Sequence, residues 1–315
     1  MRSVLRAVLP LLVALASPPV AAQNSPAPGT TSAAPAASAS AGGGWHAALS
    51  VANLFDGNVS HDVTPIRSYG VVPAASVSFD SSADAAFTFG YEIATNSYTG
   101  TDEWDRISHN FAAAVQRRLG KRLRFETDGE ASWKGSSEDR ELANVFGVSQ
   151  RIVYRLSRAT RVGVTGTYRY KQYPDDPGTS GLSPSAGAKI DQRIGENRRV
   201  SFSYKYQNRL SALPRNRYYR NVYLIELTTP VMLRDDRLSL AFEYRPQQYN
   251  RVIKVAGQQV VRADRRLVAE AEYRLSINER VDARWFGGVE TRRSNDPTKA
   301  FLAPTFGMTM SYRLR

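Results

Sequence analysis

The chain has 315 residues, 42% of them hydrophobic, a formal net charge of +13 and no cysteine. The absence of cysteine excludes a disulfide scaffold and a lipid anchor on a thiol. A pI near 10 would suit a nucleic-acid binder, yet no basic recognition module is present.

At the start of the chain, Arg2 and Arg6 lead an apolar run from Ala7 to Ala16, and Val20-Ala21-Ala22 offers a small-residue cleavage site. This pattern predicts a secretory signal peptide over 1–22, the apolar run being too short for a spanning anchor. Its removal would take the charge to +11 and argues further against a nucleic-acid partner. Residues 23–44, rich in Ala, Ser, Pro and Gly, carry no large apolar group and cannot offset their ordering entropy by burial. They are expected to form a disordered tail. Beyond residue 22 no stretch reaches the roughly 18 consecutive apolar residues of a membrane helix.

From Trp45 onward short polar turns recur, centred on Ser82, Gly120, Arg158, Glu196, Asp235 and Asn278, at spacings of 38, 38, 38, 39 and 43 residues. Each interval holds two alternating strands separated by a more varied polar segment. Six tight turns therefore predict fourteen strands, each with room for ten to fifteen residues, well beyond the usual ~5–6. Long strands, short turns at one end and longer loops at the other suit a closed antiparallel barrel that pairs all its backbone groups within oil.

The side-chain pattern agrees. In 122–134, Leu123, Phe125, Ala131 and Trp133 alternate with Arg122, Arg124, Glu126, Asp128, Glu130 and Lys134. In 199–209, Val200, Phe202, Tyr204 and Tyr206 alternate with Ser201, Ser203, Lys205 and Gln207. Trp104, Trp133, Tyr168, Tyr170, Tyr204, Tyr206 and Tyr244 fall near the loop end, and Tyr154, Tyr273 and Tyr312 near the turn end, as two interfacial belts would. In this respect residues 45–315 resemble the Gram-negative outer-membrane β-barrel superfamily, and monomeric fourteen-stranded porins in particular. Thr305, Gly307, Met310 and Tyr312 are similar to the C-terminal signal read by the barrel assembly machinery, although the chain ends Leu314-Arg315 instead of in an aromatic residue.

The resemblance implies an all-β, up-and-down transmembrane barrel in the outer membrane, monomeric, with both termini periplasmic and with lipids and lipopolysaccharide as neighbours. The turn-side arginines, such as Arg117, Arg118, Arg155 and Arg198, are expected to meet anionic headgroups. Acids at the loop end (Asp102, Glu103, Asp105, Glu138, Asp139, Glu141, Asp175 and Asp176) suit divalent cations shared with lipopolysaccharide, or simple solvation. The lumen is expected to be lined by Arg122, Arg124, Glu126, Asp128, Glu130, Arg169, Lys171, Lys205, Arg209, Arg220, Glu226, Glu243, Arg245, Glu270, Glu272, Arg274, Asp282, Arg284 and Glu290. A barrel of this size leaves room for an aqueous passage, unless ion pairs across the lumen close it.

No catalytic, metal or cofactor site is expected. Only His46, His61 and His109 offer a neutral-pH base, and Ser108 and Asn110 point away from His109 on a strand. The leading expectation is a passive or gated diffusion channel for small polar solutes, with Leu54–Gly70 and Asn250–Val261 as the candidate gating loops. The alternative is the barrel component of a lipoprotein or polysaccharide export system that works with a separate periplasmic partner.

Overall fold

Alternation at period two has one backbone solution, the extended strand, whose neighbouring side chains point to opposite faces. The computed structural model, which describes residues 44–61, 63–81, 85–100, 105–136, 143–195, 197–231 and 236–314, is built almost wholly of such strands. In chain order they are β1 Gly44–Asp56, β2 Ser68–Asp80, β3 Ala85–Tyr98, β4 Arg106–Leu119, β5 Leu123–Ser136, β6 Ala143–Arg155 and β7 Thr160–Gln172. There follow β8, in two pieces Gly181–Leu182 and Ser185–Ile194, then β9 Arg198–Ser211, β10 Tyr218–Thr229, β11 Arg237–Val255, β12 Gln258–Ser276, β13 Val281–Ser294 and β14 Phe301–Leu314. Pro184, which has no N–H to give to the ladder, lies in the break within β8.

All neighbours pair antiparallel. β1 bonds to β2 on one side, from Gly44↔Asp80 to Asp56↔Ser68, and to β14 on the other, from Ala47↔Leu314 to Asp56↔Thr305. The sheet is thus a closed fourteen-stranded barrel with no free edge, as the turn spacing predicts. The expected leader and tail lie outside the described residues, except for Gly44, which opens β1. Trp104, Ser82, Glu196, Asp235 and the acids Asp62, Asp102, Glu103, Glu138, Asp139 and Glu141 lie outside them too, as does the side chain of Lys134.

Two segments expected as varied loops are organised differently. Asn250–Val261 does not form a loop: β11 and β12 run on as 19-residue strands joined by a two-residue turn at Ala256-Gly257, with φ of 48° and 85°. Positive φ at both central residues gives the twist that joins strands tightly, and glycine at the second costs nothing there. The segment after β1 folds back over the barrel mouth. The Gly57 amide donates to the Pro304 carbonyl at 2.8 Å, and the Val59 amide to the Ile66 carbonyl at 2.7 Å.

Closure between β1 and β14 depends on a close approach at Gly307. A methyl added there would lie 2.3 Å from the Asn53 carbonyl oxygen, 2.5 Å from Cζ of Phe286 and 3.0 Å from Cα of Leu54. Two of these neighbours are backbone and cannot yield as a side chain would. Gly307→Ala is therefore expected to destabilise the barrel by about 1–3 kcal/mol. Denaturant unfolding of the variant in lipid vesicles checks this, and an unchanged midpoint would contradict it.

Candidate functional site

The barrel has two faces, and burial tells them apart. Apolar side chains of one parity are open, such as Val164 at 56% and Phe202 at 43% exposure. Ionised side chains of the other parity are enclosed, with Lys171 and Glu290 at 1% and Arg220 at 3%. A water-soluble sandwich shows the reverse arrangement. The exterior is an aliphatic band edged by aromatic chains in contact across strands. At the loop end Phe111 meets Trp133 with ring centres 5.3 Å apart, and Trp133 meets Phe146 at 5.7 Å. At the turn end Tyr273 lies 5.8 Å from Trp285.

All the charged residues expected in the interior fall on the enclosed parity, at different depths. Glu126, Asp128, Glu130, Lys205, Glu226, Glu270, Glu272, Arg274 and Arg284 are half-buried, as is Arg124. Arg169, Lys171, Arg209, Arg220, Glu243, Arg245, Asp282 and Glu290 are buried, whereas Arg122 is exposed in its turn. Depth follows height. Most cations at the turn end are open, and those at the loop end are enclosed, so the passage narrows toward the loops.

These charges do not join opposite walls in the ion pairs described here. Arg151 reaches Glu126 on the adjacent strand at 3.2 Å, and Arg169 reaches Glu130 two strands away at 2.5 Å. Lys189 contacts Glu226 at 2.6 Å, again two strands away, with Ser201 donating to the same carboxylate at 2.7 Å. Arg266 pairs with Glu290 on the adjacent strand. Arg262 pairs with Asp264 two positions along its own strand at 2.7 Å, and Arg245 with Glu243 likewise. Four of these pairs join strands around the wall, and two lie along a single strand.

At the loop-side level arginine lies against aromatic rings. The Arg209 guanidinium is 5.3 Å from the Tyr173 ring centre, Arg220 is 5.5 Å from Tyr218, Arg262 is 4.1 Å from Tyr249 and Arg292 is 4.9 Å from Phe301. Ring faces stabilise a cation while leaving its N–H groups available at the edge. Arg220 also donates to Gln207 at 2.9 Å. Among the described residues, Arg169, Lys171, Arg209, Arg220, Arg245, Arg262, Arg266 and Arg292 share this level with the carboxylates of Asp56, Glu92, Glu130, Glu243, Asp264 and Glu290.

The segment following β1 completes the level. Val59, fully buried, packs into an inward-facing apolar patch of Ala52, Leu54, Val72, Ala94 and Tyr98. His61, in the left-handed region at φ 50°, stacks on Phe301 with ring centres 4.8 Å apart. Of the other two histidines, His109 bonds to the Tyr91 hydroxyl at 2.9 Å on the open parity, and His46 lies 3.8 Å from Asp80. Ser108, by contrast, is buried on the opposite parity and donates to the Ala94 carbonyl. Two of the loop-end acids serve local bonds. Asp105 accepts from the Tyr98 amide at 2.6 Å, and Asp176 from the Thr179 hydroxyl at 2.5 Å. The four residues of the C-terminal signal all lie on β14, with Thr305 and Gly307 inward and Met310 and Tyr312 outward.

Sequence reading missed Arg262, Asp264, Arg266 and Arg292 and the aromatic partners Tyr173, Tyr218, Tyr249 and Phe301, whereas the folded-in segment lies within Leu54–Gly70, the loop expected to gate. For the β12 residues the signal was present: Arg262, Asp264 and Arg266 share the parity of Glu270 once the strand is extended past Val261.

No protein-family model and no curated protein matches the chain. Solved structures do. The outer membrane channel DcaP of Acinetobacter baumannii superposes with a TM-score of 0.51 at 9% identity, covering 87% of this chain and 98% of that one. A bacterial polysaccharide outer membrane secretin gives 0.50 at 10% identity, over 85% and 98%. At such identities the likeness is one of fold, that of the outer-membrane β-barrel channels.

Proposed function

We infer that this chain, a closed fourteen-stranded barrel with the fold of outer-membrane channels, is a non-catalytic diffusion channel for small polar solutes, monomeric in the outer membrane with both termini periplasmic. The observation that carries the reading is the inverted burial: lipid-compatible side chains outside, and ionised ones enclosed, with ion pairs running between strands of the wall. The packed loop-side level suits small solutes better than a polymer or a folded cargo. It also makes the segment after β1 the constricting element, because Val59 holds it inside.

Planar-bilayer recording of the purified protein is the test. Discrete conductance steps are expected, and their absence would overturn the channel. Val59→Asp removes a buried aliphatic group and places a carboxylate in its apolar seat, at a cost of about 3–5 kcal/mol. That exceeds what a short segment needs to stay docked, so the variant is expected to fold normally and conduct more than the native protein. An unchanged conductance would show that this segment does not constrict the passage.

A further inference from the structure

The turn-side mouth holds an arrangement that a channel wall does not require. On the enclosed parity, three pairs of arginines stand directly opposite one another in neighbouring strands: Arg118↔Arg124, Arg155↔Arg161 and Arg193↔Arg199. Like charges at opposed positions destabilise a sheet. Two nearby carboxylates answer part of this charge. Glu126 takes Arg124 at 2.6 Å and Arg151 at 3.2 Å, and Asp191 takes Arg199 at 2.8 Å. Among the described residues, no carboxylate lies within ion-pair distance of Arg118, Arg155, Arg161 or Arg193. Across the same rim the balance differs, for Arg274 and Arg313 share Asp282, and Arg284 reaches Glu272.

Between Arg118, Arg122, Arg124, Arg155 and Arg161 lies a cavity of about 100 Å³, the space of about three liquid waters and sufficient for one phosphoryl or carboxylate group. Guanidinium forks match both groups in bidentate geometry. We propose that this mouth binds a soluble, multiply charged anion of the phosphate or carboxylate type, its charged groups seated among the opposed arginines.

A lipid headgroup offers the same chemistry, but these side chains share the parity of Glu126 and face the interior. Arg117 and Arg198, one residue out of step, stand on the open parity where a headgroup would lie. The inference deepens the channel reading by naming the class of anion the mouth selects, yet binding requires only the folded barrel.

Inorganic tripolyphosphate is the probe, titrated calorimetrically into the full-length barrel in uncharged detergent. Saturable binding is expected. Arg155→Gln should weaken it by about tenfold, the loss expected of one hydrogen bond between charged groups, and adding Arg161→Gln should weaken it again. The pair Arg117→Gln and Arg198→Gln should leave it unchanged. Removing one of two opposed arginines relieves repulsion, so lost binding in these variants reports the site and not a failure to fold. Absence of binding, or loss caused by the outer pair and not the inner one, would overturn the proposal. So would binding seen solely for phosphatidylglycerol in nanodiscs. Tripolyphosphate binding by a barrel that shows no conductance would overturn the channel and leave this site standing.

Discussion

Phe202→Arg is expected to lower the stability of the barrel by about 2–4 kcal/mol in lipid vesicles, the cost of a cation held against acyl chains near the bilayer centre. Phe202 sits five residues into the 14-residue β9, opposite Ile190 on one side and Ile225 on the other, and all three are open on the apolar face. A guanidinium here meets isoleucine on both neighbouring strands, with Tyr204 two residues along the same face. Ser203→Arg, one position along, turns the same charge to the interior, where Lys189 lies opposite and Glu226 is close by. Its cost should be well under half as great. Urea unfolding followed by tryptophan fluorescence compares the two. Equal losses would mean that both faces of β9 meet the same medium, and the assignment of inside and outside would fall with that result.

The second large effect concerns ion preference. Arg209 and Arg220 both flank Tyr218 at the narrow level and are enclosed. A unit charge about 7 Å from the axis in water is worth about 0.6 kcal/mol to a passing monovalent ion, about threefold in partition. Each lost charge disfavours chloride and favours potassium alike, so replacing both with glutamine should shift the chloride-to-potassium permeability ratio about fiftyfold toward potassium while raising conductance, because two bulky side chains become shorter. Reversal potentials across a salt gradient give the ratio directly. An unchanged ratio would place the selective level elsewhere, at the turn-side arginines in the first instance.

Much of the architecture could be read from the residues. Turn spacing gave the strand number, because a tight turn needs a short polar cluster and each hairpin needs a similar length of strand to cross the same thickness. Parity gave the two faces, because a one-residue slip would turn every charge outward. What sequence could not supply was anything that depends on distance across the barrel. Each opposed arginine pair flanks one tight turn, where the ladder register sets Arg118 against Arg124, Arg155 against Arg161 and Arg193 against Arg199. The folded-in segment was legible as a loop able to gate, but not its anchor, since nothing local distinguishes Val59 in an apolar seat from an exposed valine. The β11–β12 extension was hidden by polar residues that look like a loop, although alternate positions such as Val252 and Val261 continue the strand.

That extension has a practical consequence. β10 last pairs at Tyr218↔Tyr249 and β13 at Asp264↔Ser294, so about six residues of each extended strand rise beyond their neighbours, about 20 Å at strand pitch. The two-residue tip at Ala256-Gly257 is the natural point at which to insert an epitope without disturbing closure. On intact cells, antibody access to that mast reports which compartment it stands in, and with it the direction in which every strand threads the bilayer.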